Sequence, residues 1–345
     1  MEKKVSSSTN VKDTIFRKLI AQREFILFVV IAFIFVLMSA TNEGFFTKQS
    51  MLNLLMSFTQ GGIIAIGMMI LLVSGGMDLS AGYNMAFTGV VTATLYTVVG
   101  IPLVPAIAIG LIAGISIGAF NGFMVAIVGL NPFITTLGTS MTFQGLMMML
   151  TRGKSVLVDK PFQVMGQGSL FEIQYPVYIL IIFVIVFELL LRRSRPFRTS
   201  YYVGGNENAA KLNGINVKKV KLLNYVLTGG LAGLSGILLA ARLSTASVGV
   251  GSDTALEVIT ACIIGGASLS GGEGSVLGAF LGVVFIQIVQ QSLNMMDLGD
   301  LGPYIKIFAT GLILLVAITV DVLNERRKAA KITALNEKRI DKALI

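Results

Sequence analysis

Two short motifs in this 345-residue chain hold residue types suited to nucleotide or covalent chemistry: Arg152-Gly153-Lys154-Ser155 and Gly233-Leu234-Ser235-Gly236. The first contains the Gly-Lys-Ser of a phosphate-binding loop. That loop needs another glycine five residues before Gly153, and position 148 is Met. The second matches the G-x-S-G of intramembrane serine proteases, whose serine is activated by a histidine base. The chain has no histidine. Imidazole catalysis, His-ligated metal sites and an HExxH helix are excluded with it. The single cysteine, Cys262, excludes an intramolecular disulfide, a CxxC pair and a cysteine zinc site. It lies in an apolar run, where a buried and inert thiol is expected. No nucleophile–base pair and no metal-ligand set emerges, so no enzyme is expected here.

Binding is a different matter. Asn121, Asn131, Gln144, Glu257, Gln287, Gln290 and Gln291 interrupt long apolar runs, where each needs a partner away from lipid. Uncharged amides both donate and accept, which suits a neutral polyhydroxylated solute better than an ion. Hydrogen bonds between helices account for many of them equally well. Glu257 is the acid that a proton-coupled carrier would require, apart from Asp78 and Glu273 at the chain breaks.

Those breaks form an internal repeat. Gly75-Gly76-Met77-Asp78-Leu79-Ser80-Ala81-Gly82 matches Gly265-Gly266-Ala267-Ser268-Leu269-Ser270-Gly271-Gly272, and Phe87–Val91 echoes Phe280–Val284. Each copy ends one apolar run and opens the next. Paired helix breaks in two halves of a transporter point to a translocation path. Tight cytoplasmic turns between spans explain them equally. By span count both copies have the same orientation, so this is not an inverted repeat. The path candidates are Asp78, Ser80, Asn121, Asn131, Gln144, Glu257, Ser268, Ser270 and Gln287.

The elements that must hold these residues follow from composition. Hydrophobic residues make up 54% of the chain and charged ones 13%, against about 25% charged in an average soluble domain. With 38 Gly and 7 Pro, the chain reads as an all-α polytopic membrane protein. A span needs about 20 apolar residues. Ten runs qualify: 25–41, 51–74, 81–99, 104–128, 132–150, 175–192, 223–243, 254–268, 275–293 and 303–322. The eighth is short and ends in glycines, so full crossing is doubtful on length. The first has a signal-peptide look, but nine further runs favour an uncleaved helix.

Twenty-one of the 27 basic residues fall in residues 1–24, 192–221 and the tail from 324. Positive loops stay cytoplasmic; six spans then separate the first two clusters and four the next two. Ten spans with both termini cytoplasmic satisfy both counts. This divides the chain into a basic N-terminus (1–24), a transmembrane domain (25–322) with a cytoplasmic loop at 192–222, and a basic tail (323–345). The net charge of +9 is thus assigned to topology and anionic membrane lipid, not nucleic acid. The mixed-charge outward loop, about 151–174, is wet surface or a docking face.

Glycines at four-residue spacing remove side chains from one helix face and let another helix approach. Gly110, Gly114, Gly118 and Gly122 do this in the fourth run, and Gly274, Gly278 and Gly282 in the ninth. They are read as packing surfaces. The loop segment Gly204–Ile215 reads as a short helix: Asn206 caps it, Glu207 suits its N-terminus and Gly214 stops it. It is either a docking element for another protein or a helix lying on lipid.

In these stretches the chain resembles the permease subunits of ribose-, galactose-, xylose- and autoinducer-2-type ABC importers. The carrying segments are Gly75–Gly82, Asn131-Pro132-Phe133-Ile134-Thr135-Thr136-Leu137-Gly138, Gly204–Ile215, and Ile264–Leu269 with Gly271–Ser275. They occur in the family's order, and the likeness covers about 45–322. The resemblance implies a coupling helix seated in a groove of an ATPase subunit, built from Gly204, Gly205, Asn206, Glu207, Ala209, Ala210, Leu212, Gly214 and Ile215. It also implies a cytoplasmic ABC ATPase dimer that binds ATP and Mg, an extracytoplasmic sugar-binding protein, and a second permease copy or paralogue. No cofactor or metal is expected in this chain, and the location implied is the bacterial inner membrane. An autonomous proton- or sodium-coupled transporter is the alternative, and a channel or scaffold a third.

Overall fold

The computed structural model describes residues 23–296 and 299–343. The N-terminal segment up to residue 22 lies outside the described residues, and so do 297–298 and 344–345. Thirteen α-helices are described: α1 (Arg23–Thr41), α2 (Lys48–Val73), α3 (Ala81–Thr97), α4 (Leu103–Gly122), α5 (Pro132–Thr151), α6 (Lys160–Gln167), α7 (Tyr175–Arg193), α8 (Arg195–Gly205), α9 (Glu207–Leu212), α10 (Val217–Leu243), α11 (Thr254–Ile264), α12 (Val276–Met295) and α13 (Gly302–Ala343). A π-turn at Phe123–Val128 extends α4. Four two-residue strands, β1 (Val156–Leu157), β2 (Ser169–Leu170), β3 (Ile173–Gln174) and β4 (Thr245–Ala246), pair antiparallel as β1 with β4 and β2 with β3. The protein is an all-α polytopic membrane protein.

Each of the ten expected runs contains a helix, yet only seven of the described helices are both long and apolar enough to cross a bilayer. The other three differ for separate reasons. α5 has the length, with 20 residues, but five threonines, Ser140 and Gln144 dilute its hydropathy. α3 has 17 residues and α11 has 11. Both of these start partway along the bundle. Asn84, in the first turn of α3, donates to the carbonyls of Gly114 (3.1 Å) and Gly229 (3.2 Å), which lie near the midpoints of α4 and α10. α11 runs beside the middle of α2: a Cβ on Gly61 would meet Val258 at 3.9 Å, and Cys262, in the last turn, donates to the Ala65 carbonyl (3.6 Å). The N-terminal ends of α3 and α11 meet there. A Cβ on Gly82 would stand 2.2 Å from the Gly251 carbonyl oxygen.

The axis of the bundle is α2, whose apolar window is 83% buried. It runs antiparallel to α12, from Gln291 against Ser50 at one end (3.2 Å) to the Gly272 N–H against the Val73 carbonyl at the other (2.8 Å). It also runs antiparallel to α10: Ser235 donates to the Gln60 carbonyl (3.0 Å) and Arg242 to that of Met56 (3.0 Å). Ile63, Ile64, Met68, Met69, Leu71 and Leu72 on α2 are fully buried. α8 and α9 sit at the end of the bundle where α2 finishes. The small strands and α6 cover the opposite end.

The glycine face of α4 packs as expected from its spacing. A Cβ on Gly110 would strike Thr92, one on Gly114 would meet Gly229 and Gly233, and one on Gly118 would lie 2.3 Å from the Tyr225 carbonyl. Gly122 stands against Leu222 and Tyr225. α10 answers with its own glycines at 229, 233 and 236, which close-pack on α4 and α3. On α12, Gly278 faces the Gly265 carbonyl and Gly282 that of Ala261. Gly274 is a correction. It precedes the helix, has φ +146°, and fits beside Met69 and Val73 in the loop. The four-residue spacing extends the glycine row past Ser275, the N-cap, to a position where the helix has not yet begun. α13 continues unbroken through the expected boundary at 322–323 to Ala343.

Candidate functional site

The first break turns back into the protein. α2 closes with the N–H of Gly75 on the Leu72 carbonyl (2.8 Å) and that of Gly76 on the Leu71 carbonyl (3.0 Å). Gly75 takes the left-handed φ of +75° that such a helix end requires. The chain then dives inward. Asp78 is fully buried, as are Ser80 and Asn121. Asp78 Oδ1 accepts from the Ser80 N–H (2.8 Å), the Ser80 hydroxyl (2.6 Å) and Asn121 Nδ2 (3.3 Å). Asn121 also donates to Ser80 Oγ (2.7 Å), and its Oδ1 accepts from Thr139 (2.7 Å). Nearby, the Leu79 N–H donates to Thr136 Oγ1 (3.0 Å) and Tyr225 donates to the Met77 carbonyl (2.8 Å). The result is a closed polar knot joining the break to α4, α5 and α10. Among the described residues, Asp78 Oδ2 has no hydrogen-bond partner.

The second break is built the same way at its start. Gly266 (φ +101°) donates to the Ile263 carbonyl (3.0 Å) and Ala267 to that of Cys262 (2.9 Å). The side chain of Ser268 accepts from the Ser270 N–H (3.2 Å), as Asp78 does from Ser80. From there the copies diverge. Ser270 is exposed, the Leu269 N–H donates to Asp321 on α13 (3.3 Å), and five residues pass before α12 begins. The two readings of the breaks thus divide between the copies: the first is an inward polar loop, the second a tight turn at the bundle's end.

Both breaks touch one another through α8. A Cβ on Gly204 would lie 1.9 Å from the Val73 carbonyl oxygen and 2.6 Å from the Gly272 nitrogen. Gly271 lies against Gly204 and the Gly75 nitrogen, and Gly272 lies against Gly205. Tyr201 donates to the Gly274 carbonyl (2.6 Å) and fastens the same junction. Gly204 is needed here for close approach of backbones, whereas Gly271 (φ +87°) and Gly272 (φ +78°) combine that approach with the left-handed region.

α9 stands directly on this junction, and its end signals act as the sequence indicates. Asn206 Oδ1 accepts from the Ala209 N–H (2.9 Å). Gly214, with φ +78°, ends the helix, and the Ile215 N–H returns to the Ala210 carbonyl (3.1 Å). Ala210 packs between Val203 and Val217, anchoring the inner face. Leu212 points outward, 90% exposed. Glu207 pairs with Lys221 (2.7 Å) and Lys211 (2.9 Å). The hydrogen bond from Lys221, then that from Lys211, holds the Glu207 carboxyl below the usual carboxylate range.

The remaining candidates lie elsewhere. Glu257, in the first turn of α11, accepts from Gln287 (2.6 Å) and Gln290 (3.4 Å) of α12, a clamp between neighbouring helices. Asn131 is exposed and caps α5, accepting from the N–H groups of Phe133 and Ile134. Asn followed by Pro at a helix start carries that signal. Gln144 is half-buried on α5. The structure thus brings Asp78, Ser80 and Asn121 together and keeps Asn131, Gln144, Glu257 and Gln287 apart from them. Thr136, Thr139 and Tyr225 were missed. They are single polar groups on distant helices, and only the fold makes them neighbours.

A many-helix membrane bundle with interrupted helices and an outward-standing capped helix is an architecture suited to a membrane transport protein. Residues 50–318 match the family described as "Branched-chain amino acid transport system / permease component". The chain belongs to this family of transport permease components. It is 34% identical to the ribose import permease protein RbsC of Bacillus subtilis, over 86% of this chain and 90% of that one. It is 33% identical to the L-arabinose transport system permease protein AraH of Escherichia coli (88% and 91%). It is also 36% identical to the probable ABC transporter permease protein y4mJ of Sinorhizobium fredii (79% and 83%). No solved structure matches. The chain is a transport subunit, not an enzyme.

Proposed function

We propose that this chain is the membrane subunit of a binding-protein-dependent importer for a monosaccharide, ribose or a related pentose or hexose, in the bacterial inner membrane. A cytoplasmic ABC ATPase dimer, which binds the ATP and Mg, docks on α9. A sugar-binding protein delivers solute at the opposite end, and a second copy of this chain or a paralogue completes the path. This chain holds no cofactor of its own. Both termini are cytoplasmic.

The observation that carries this reading is the seating of α9. A helix with an exposed outer face rises from Gly204–Gly205; Gly204 touches the C-terminal end of α2 and the α11–α12 break at once, and Gly205 touches the latter. Force applied to α9 by a partner therefore reaches both helix breaks without crossing flexible side chains. The first break carries the Asp78–Ser80–Asn121–Thr139 knot, so shifting it exchanges internal hydrogen bonds for bonds to a passing solute. Hydroxyl and amide groups supply donors and acceptors suited to sugar hydroxyls. The names of the relatives favour a sugar over a branched-chain amino acid.

The test is purification of the tagged chain from its native membrane in mild detergent, with mass spectrometry of what accompanies it. A stoichiometric Walker-motif ATPase is expected, and any second permease distinguishes heterodimer from homodimer. A chain that emerges alone and still moves sugar into liposomes overturns the proposal.

A further inference from the structure

A cleft of about 570 Å³ opens between α8 and α10 at the same end of the bundle as α9. Its walls are Pro196 and Phe197 on α8 and Val220, Leu223 and Leu227 on α10, with Lys219 among the lining residues. Leu223 is 51% exposed although it belongs to a membrane-crossing helix. From Lys219 to Leu227 the cleft follows α10 for roughly 12 Å, at 1.5 Å per residue. One end is apolar and the other cationic. Arg195 and Arg198 flank the α8 wall in sequence, and Lys218 precedes Lys219. Among the described residues none of these four makes an ion pair with a carboxylate. The cationic end also coincides with the N-terminus of α10, whose dipole favours negative charge. Asn216 fixes that first turn by accepting from the Lys219 N–H (3.0 Å).

We propose that this cleft binds one anionic phospholipid, its acyl chain along Leu223 and Leu227 and its phosphate at Lys219 and the start of α10. The occupant must be an amphiphile because the lining changes from apolar to basic along its length. The bilayer is the natural source of such an amphiphile, since Leu223 and Leu227 belong to a helix long and apolar enough to cross it. The cleft also reaches Gly214 and Ile215, so the bound lipid braces the loop that ends α9. This assignment requires only that the chain sits in a membrane, and it stands apart from the sugar and from the ATPase.

The test is native mass spectrometry of the detergent-purified complex, titrated with phosphatidylglycerol and, separately, with phosphatidylcholine. Saturable binding of one phosphatidylglycerol is expected, at an affinity at least fivefold above that for phosphatidylcholine, since each basic residue near a lipid surface contributes about that factor. Lys219→Glu and Leu223→Trp alter exposed positions, one removing the cation and one filling the cleft, and each is expected to weaken phosphatidylglycerol at least fivefold. Lys154→Glu, on the opposite end, is expected to leave it unchanged. Equal affinity of the unaltered protein for the two lipids overturns the proposal without reference to any variant. Undiminished phosphatidylglycerol binding by both cleft variants also overturns it. Loss of a co-purifying protein with lipid binding intact would make the cleft a protein interface instead.

Discussion

Replacing Gly204 by Ala isolates the junction between α8 and the two helix breaks. The added Cβ would stand 1.9 Å from the Val73 carbonyl oxygen and 2.6 Å from the Gly272 nitrogen, and both are backbone atoms. To reach the 3.0 Å that real Cβ contacts respect, the first gap must open by about 1.1 Å. That movement strains or breaks the Gly272 N–H bond to the Val73 carbonyl (2.8 Å). Overpacking of this kind costs about 1–3 kcal/mol, and the lost hydrogen bond about 1 kcal/mol more. If only about 1.4 kcal/mol of this falls on the transport step, uptake per ATP hydrolysed drops about tenfold. The assay is paired measurement of sugar uptake and ATP hydrolysis by the reconstituted importer, with thermal unfolding in detergent alongside. Gly205→Ala is the control, because a Cβ there meets nothing within 4 Å; its unfolding and its coupling are expected to match the unaltered chain. A Gly204→Ala protein with the same ratio of uptake to hydrolysis refutes the idea that this contact transmits motion.

Three further outcomes follow from the site. Thr139→Val strips the donor from Asn121 Oδ1 in a fully buried position, and is expected to lower unfolding stability by about 1–3 kcal/mol. The exposed Thr142→Val is expected to change it by less than about 0.5 kcal/mol, and equal effects would show that the knot is not a unit. Glu207 has its folded pKa depressed below its usual 4.5 by Lys221 and Lys211, so its contribution is present above the unfolded value and fades as pH falls through the folded one. The stability difference between the unaltered chain and Glu207→Gln should stay level from pH 8 to about 5 and close below 4.5; a difference that grows in acid would contradict the pairing. Glu257→Gln keeps a partner for Gln287, so uptake is expected within about twofold of normal and unmoved by uncouplers. Collapse of uptake in that variant would restore ion coupling.

What the sequence made legible here is local. Asn206, Glu207 and Gly214 specify α9 because capping depends on neighbours a few residues apart, and the structure places each group as its spacing indicates. The α4 glycines are equally readable, since a four-residue period states a close approach without naming the partner. The partner, α10 with Gly229 and Gly233, lies over a hundred residues away and carries no signal of its own identity. Tyr225 and Thr139 were invisible for the same reason. Asn131 has two signals in conflict: an amide beside an apolar run suits a binding group, but its position before Pro132 marks a cap, and the cap is what it forms. The breaks were found by their repeat, but identical Gly-Gly starts do not decide which loop turns inward. That follows from what packs around Asp78 and from Asp321, which holds the Leu269 N–H at the other copy.

The uninterrupted run of α13 has a geometric consequence. Its apolar part, Tyr304–Leu323, is 20 residues, about 30 Å at 1.5 Å per residue, enough to cross the hydrocarbon core. The helix then continues through residues 324–343 without a bend-forming proline or glycine, adding about another 30 Å. The helical segment beyond the apolar part is thus about as long as the bilayer core is thick, and Asp321, near the point where the two parts join, holds the second break. An unbroken helix couples its two parts: displacing residues 324–343 along the axis displaces Asp321, and with it the hydrogen bond to the Leu269 N–H.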